Sequence, residues 1–187
     1  RAVYPGIEVH VDEGPDGEVA QWLTDHRVDI GFVTLPDERF DTFPLMEDQL
    51  VALLPLAHPL TKKNAVTLEE LCASPFAMTR AGSEDIIGGL FRALRLQPNI
   101  RWRSLQLVST IAAVARGEAV SIVAESALPP DKAQGYVKKP LRPAARRQVA
   151  LATPDARRMS PAAREFIRMA QEVFPHPAQS TARPAKR

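Results

Sequence analysis

The sequence predicts an α/β domain, and three observations carry that prediction. Short apolar or alternating runs of strand length take turns with stretches whose apolar residues recur at helical spacing. Pro and Gly, 17 and 9 in number, punctuate the boundaries between them. The 187 residues, 45% hydrophobic and 25% charged, have the composition of an ordinary globular chain. A chain of this size typically buries roughly 70% of the surface its unfolded form exposes, so it needs no disulfide or metal for stability.

Near the N-terminus Ile7, Val9 and Val11 alternate with Glu8, His10 and Asp12, the pattern of a half-buried strand. After the turn at Glu13-Gly14-Pro15-Asp16, residues Val19, Trp22 and Leu23 put an apolar stripe on a short helix that Asp16 is placed to cap. Val28 to Val33 follows as a compact strand. Strand, helix and strand in this order form the βαβ pattern of a parallel sheet. Phe43 to Met46 is a short strand, and Gln49 to Leu54 is an apolar strand closed by Pro55 and the turn Ala57-His58-Pro59-Leu60.

Thr67-Leu68-Glu69-Glu70 has the form of a capping box and opens a helix that Ser74-Pro75 stops. Phe76 to Thr79 is the next strand. Ser83 stands as the cap of an amphipathic helix, with Glu84 and Asp85 at the positive end of its dipole and Ile86, Ile87, Leu90, Phe91 and Leu94 on one side. Ile100 to Leu105 is a strand, and Val108, Ile111, Ala112 and Ala115 form the stripe of a helix ended by Gly117. Ala119 to Ala124, Gly135 to Lys139 and Gln148 to Ala152 are strands. Ser160-Pro161 starts a last helix carrying Ala163, Phe166, Ile167, Ala170 and Val173. No short repeat or sustained heptad appears, so the pattern favours an α/β fold with a mostly parallel sheet.

Motifs of bond-making chemistry are absent. The chain has no Gly-x-Ser-x-Gly elbow, no phosphate-cradling Gly-x-x-x-x-Gly-Lys, no Gly-x-Gly-x-x-Gly and no His-Glu-x-x-His. Asp12 and Glu13 are neighbours on an extended segment, so their side chains diverge and read as solvated charges. His58 reads as a structural turn residue, and the single Cys72 as a small core residue that has no disulfide partner. The histidines at 10, 26, 58 and 176 lack metal-ligand spacing. Neither an enzyme nor a cofactor or metal is expected.

The lone thiol favours a reducing compartment, and no apolar run approaches the roughly 20 residues that span a bilayer. A cytoplasmic chain without membrane contact is the expectation. Net charge is +2, but the tail 175–187 carries Arg183, Lys186 and Arg187 against no acid, so the remainder has one more acid than base. That tail reads as a disordered basic segment. Arg142, Arg146 and Arg147 are the nearest approach to a basic patch, too little to hold a duplex.

One stretch suggests a site. Met78-Thr79-Arg80-Ala81-Gly82-Ser83 carries a strand into a helix N-terminus, where unsatisfied N–H groups and the dipole favour an anion. Thr79 and Ser83 add hydroxyls and Arg80 a forked charge. In open α/β sheets ligands settle beyond the carboxyl ends of strands, where this loop lies. The alternative is that Ser83 only caps its helix.

With these residues in view, the chain resembles the effector-binding domain of LysR-type transcriptional regulators. The resemblance is carried by Tyr4-Pro5-Gly6-Ile7-Glu8-Val9 with Glu13-Gly14, by Val28 to Val33, and by Leu53 to Leu60. It continues through Val66 to Leu71, Ser74-Pro75-Phe76, and Ile111 to Gly117 leading into Ala119 to Val123. It implies a fold like the type 2 periplasmic binding proteins: two α/β lobes joined by two crossing strands, here Gln49 to Pro55 and Gln148 to Thr153, with a small effector between them. Lobe I then comprises 1–53 and 151–174, and lobe II comprises 54–150.

By the same resemblance Thr79, Arg80, Gly82 and Ser83 match a lobe II loop that contacts effector, Thr34 matches a lobe I contact, and Ile122 matches the second lobe II wall. An anionic small-molecule effector, a homodimer or homotetramer, and DNA contact only through an N-terminal domain absent from this sequence are implied with it. The segment Ile7 to Val11 and the helix from Ser83 are the implied interface elements. Against the family pattern the winged helix-turn-helix, the linker helix, the first strand and most of the first helix of lobe I are missing. Ala119 stands where a second glycine is usual, which either narrows the cleft or shifts the turn. The rival readings are a solute-binding protein of a transport system and an enzyme on the same scaffold.

Overall fold

A computed structural model describes residues 3–80, 82–129 and 135–174. The elements are α1 (Asp16–Thr24), β1 (Gly31–Leu35), β2 (Asp41–Pro55), α2 (Leu68–Cys72), β3 (Pro75–Thr79) and α3 (Glu84–Ala93). They continue with β4 (Asn99–Ser104), α4 (Leu107–Ala115), β5 (Val120–Ala124), β6 (Tyr136–Thr153) and α5 (Pro161–Val173). The strands form one sheet in the order β1-β6-β2-β5-β3-β4.

The α/β class holds, but parallel pairing between strands is confined to β5-β3-β4, with one isolated parallel bridge between Val66 and Leu141. β6 pairs antiparallel with both β1 and β2, and β2 pairs antiparallel with β5. The reason is topological: β2 carries the chain out along the sheet and β6 carries it back, so the two long central strands run in opposite directions. Each had read as two short strands. Phe43 to Met46 and Gln49 to Leu54 are one strand of 15 residues, while the strands at 135–139 and 148–152 are joined in one of 18.

Alternation along these strands feeds different cores on the two faces. Near one end Ala150 and Ala152 pack with Leu23 of α1 and Val33, whereas Leu151 between them packs with Leu45 and Ile167 of α5. Toward the other end Leu50, Ala52 and Leu54 join Leu71, Phe76, Ile87 and Phe91 under α2 and α3. The intervening Val51 and Leu53 join Val123 and Val114 under α4. Both ends are therefore three layers, helix on sheet on helix.

Local signals explain several boundaries. The Thr67 hydroxyl accepts from the Glu70 N–H at 3.3 Å, and the Glu70 carboxylate accepts from the Thr67 N–H at 3.0 Å, completing the expected box. Ser160 caps α5 through the Ala163 N–H at 3.1 Å, with Pro161 in the first turn. Gly117 closes α4 at φ +80°.

Four readings are corrected. Residues 7–11 form no strand, and Val11 is 81% exposed: the alternating pattern is present, but no partner strand lies beside it among the described residues. The segment is instead held by the Tyr4 hydroxyl, which donates to Glu165 of α5 at 2.5 Å. Asp16 does not cap α1 but is its first residue, with Pro15 before it. α4 is apolar nearly all round, so periodicity did not select its buried face. Packing turns the longer Leu107, Ile111 and Val114 inward and leaves Val108 66% exposed. Finally, Ser83 precedes α3 without capping it. The tail 175–187 lies outside the described residues.

His58 proves structural. The Leu60 N–H donates to its Nδ1 at 3.3 Å, which leaves the proton on Nε2, 3.0 Å from the Ser74 hydroxyl. Burial pushes its pKa down. The folded state thus favours neutral imidazole, so this contribution to stability is complete above the unfolded value of about 6.5 and is lost as pH falls below it. Urea unfolding at pH 7.5 and 5.5 is expected to show a smaller loss of stability on acidification in His58→Gln than in the parent chain.

Candidate functional site

The site begins with a cross-strand pair. β2 and β6 put Asp48 directly opposite Arg147 in the ladder. Their side chains are 3% and 13% exposed. Arg147 donates from Nε and Nη2 to Asp48 Oδ2 at 3.1 and 3.0 Å. Asp48 is fixed in turn by Ser126, whose N–H and hydroxyl donate to it at 3.1 and 2.6 Å. A buried carboxylate with this many donors is satisfied rather than merely paired.

The remaining arm of Arg147 reaches the loop before α3. Nη1 donates to the Gly82 carbonyl at 3.0 Å and to the Ser83 hydroxyl at 3.2 Å. This explains the missing cap: the Ser83 oxygen accepts from Arg147 rather than from the first turn of α3, so that turn keeps its unsatisfied N–H groups. From β1 the Thr34 hydroxyl donates to the same Gly82 carbonyl at 3.4 Å.

Gly82 sits at φ +68°, where L side chains are strained. A Cβ on it would begin 3.2 Å from Asp16 Oδ1 and 3.4 Å from Arg147 Nη1. The N-termini of α1 and α3 thus converge on one glycine, with a guanidinium beside it. Asp16 keeps water on one side, yet desolvation raises its pKa; Arg147 opposes that rise and Asp85 adds to it. Water on one side and protein on the other is the environment of a cleft wall.

The structure gathers Thr34, Gly82 and Ser83. Thr79 is buried at the end of β3, next to the loop. Arg80 turns away to Glu84 at 3.2 Å, and Glu84 also holds Arg103. Ile122 is 0% exposed, packed in the core with Leu50, Phe76 and Phe91, and so is not brought to this cluster. Ala119 is buried at the start of β5. Arg147, Asp48, Ser126 and Asp16 were not singled out as site residues. The available signal was an acid and a base, each immediately before the apolar run of a crossing strand.

Burial pushes the Cys72 thiol up, away from a reactive thiolate. Among the described residues no His, Cys, Asp and Glu group is placed to hold a metal ion, and no helix is long and apolar enough to cross a membrane.

Fold and site together define an effector-binding domain with a periplasmic-binding-protein-like fold. The family model for the LysR substrate binding domain matches residues 1–175, and the chain belongs to that family. The uncharacterized HTH-type transcriptional regulator YvbU of Bacillus subtilis (strain 168) is 29% identical over 174 residues, which is 91% of this chain and 59% of that protein. The chain therefore spans about three fifths of that relative's length.

Among solved structures, HinK, a LysR family transcriptional regulator from Pseudomonas aeruginosa, superposes with a TM-score of 0.81 at 27% identity, covering 93% of this chain and 63% of that one. The regulatory domain of CcmR from Synechocystis PCC6803, solved in complex with 2-PG, gives a TM-score of 0.84 at 18% identity, covering 92% and 86%. At that identity the second likeness shows the fold alone. These likenesses do not favour the transporter reading.

Proposed function

We propose that this domain senses a small oxyanion held between two lobes and passes its occupancy to DNA-binding domains elsewhere in the full regulator. The observation that carries the reading is the convergence of Thr34, Gly82, Ser83 and Arg147 between the N-termini of α1 and α3. Thr79 and Arg80 border the same loop, and Arg80 joins the effector contacts only on leaving Glu84. Lobe I is the part around α1, β1 and α5, and lobe II the part around α2, α3 and α4. The sequence-based divisions at 53/54 and 150/151 fall within the crossing strands. Leu50 and Ala52 already pack with Phe76, which draws the division toward the Asp48–Arg147 pair.

On this reading no bond is made or broken: ligand binding shifts a population of lobe angles, and the shift alters an oligomer, a homodimer or homotetramer. Exposed Val9, Val11 and Trp102 offer apolar surface for such an assembly. DNA is contacted by another domain, the protein acts in the cytoplasm, and it is not an enzyme.

Thermal unfolding with a panel of sulfate, phosphate, 2-PG and small mono- and dicarboxylates tests the reading. A compound at about 100 times its Kd adds roughly 2.7 kcal/mol, a rise of roughly 5 to 11 °C at this chain length. Gly82→Ala, strained and crowded against Asp16, is expected to abolish the rise, and Thr34→Val to reduce it. No rise with any oxyanion, or a rise indifferent to Gly82→Ala, counts against this site.

A further inference from the structure

Arg147 carries five N–H hydrogens, and four are engaged with protein: those of Nε and one of Nη2 with Asp48, both of Nη1 with Gly82 and Ser83. The two sets of acceptors differ in kind. Asp48 is a carboxylate, buried and locked by Ser126, whereas the Gly82 carbonyl and Ser83 hydroxyl are neutral. Both sets are charge-assisted by the guanidinium, but a guanidinium gains more from an anionic oxygen than from a neutral carbonyl or hydroxyl. The Nη1 side is therefore the exchangeable one.

Its position gives that exchange a mechanical outlet. Just past the Asp48–Arg147 pair the β2–β6 ladder breaks register: Leu50 lies opposite Ala145, but Val51 lies opposite Pro140. Residues 141–144 thus have no partner on β2 at this break; Pro140 and Arg142 bond Val66 there instead, and the interrupted ladder is bent and more strongly twisted. Through one side chain the loop before α3 is tied to both crossing strands beside their irregularity.

We propose that Arg147 is the positioning residue that passes cleft occupancy to the crossing strands. An oxyanion arriving at the uncapped first turn of α3 replaces the Gly82 carbonyl and the Ser83 hydroxyl as acceptor for Nη1. Nε and Nη2 remain on Asp48, so the loop is released from β6 while the guanidinium keeps its anchor. The inference rests on the effector reading above and adds the group that transmits it. Lysine does not substitute, because a single ammonium cannot hold Asp48 and the loop with the two arms of a planar fork.

Hydrogen–deuterium exchange on the 187-residue chain, with and without sulfate, phosphate and malonate, tests the proposal. Without oxyanion, Ser83→Ala and Arg147→Lys are expected to speed amide exchange both at 82–87 and at 145–149, by about tenfold where one charged hydrogen bond is lost. With oxyanion, the parent chain is expected to change at 82–87 and at 145–149 together, Arg147→Lys to change at 82–87 alone, and Ser83→Ala, which keeps the Gly82 bond, to show a reduced change at 145–149.

Ser83→Ala leaves the Asp48 pair intact, so it gives a result even where Arg147→Lys folds poorly. Undiminished transmission to 145–149 in the variants overturns the proposal, as does acceleration confined to 82–87 in the oxyanion-free chains. If no oxyanion alters 82–87 in the parent chain, the effector reading fails separately, and the oxyanion-free arm still decides whether Arg147 couples loop to strands.

Discussion

Arg147→Ala is expected to lower the unfolding free energy by about 3–5 kcal/mol, the cost of leaving a buried carboxylate without its counter-charge. Asp48 is 3% exposed and loses both Arg147 donors, retaining among the described residues the N–H and hydroxyl of Ser126. For a chain of this length each kcal/mol corresponds to roughly 2–4 °C, so the melting temperature falls by about 6–20 °C. The paired substitution Asp48→Leu with Arg147→Met is expected to recover most of that loss, because apolar side chains of similar volume avoid the desolvation penalty of both ions. Urea titration of the two variants beside the parent chain measures this. A single variant within about 1 kcal/mol of the parent would show that water reaches Asp48.

Phe76→Ala is expected to cost a similar amount, about 3–5 kcal/mol. Phe76 on β3 is fully buried, and Phe91 on α3 stands against it edge to face, with centroids 5.4 Å apart and planes at 86°. Such a pair contributes roughly 0.5–1.5 kcal/mol beyond the area it buries. It also anchors α3 to the sheet, and the first turn of α3 is a wall of the proposed site, so ligand response is expected to weaken along with stability. A double-mutant cycle with Phe76→Leu and Phe91→Leu isolates the pair; a coupling near zero would mean the two rings contribute only by filling volume.

Much of this fold was legible because its local signals agree with its packing. The capping box at Thr67, the Ser160-Pro161 start of α5 and the Gly117 stop are chemistry of neighbouring residues, which a sequence displays directly. The two crossing strands were visible as apolar runs, yet their full length was not. Asp48, Arg146 and Arg147 interrupt the hydrophobic pattern, and that interruption looks like a strand end. In the structure it is the middle of both strands, where Glu47 meets Arg146 and Asp48 meets Arg147.

The same reasoning applies to the site. Thr34, Gly82 and Ser83 were proposed from a loop and a resemblance, both of which are local. Arg147 is brought to them by a partner 99 residues away in the chain, so no window of sequence contains the contact. Ile122, which the resemblance matches to a wall, is turned by strand alternation into the core beneath α3. Whether Ser83 caps or binds was left open by sequence; in the structure its hydroxyl makes no cap and accepts from a side chain on another strand.

The central pairing of β2 with β6 also sets the order of events when the chain is made. β2 leaves the ribosome early and can take β5 on one edge once residue 124 has emerged, but its other edge waits for residues 136–153. Until then a 15-residue strand, with Leu50 to Leu54 at its heart, presents an open ladder to any other chain nearby. Closing so distant a contact is slow, placing folding in the range of milliseconds to seconds rather than microseconds. The interval between synthesis of β5 and arrival of β6 is thus the time of greatest exposure to misassembly, and a nascent chain stalled there has most need of a chaperone.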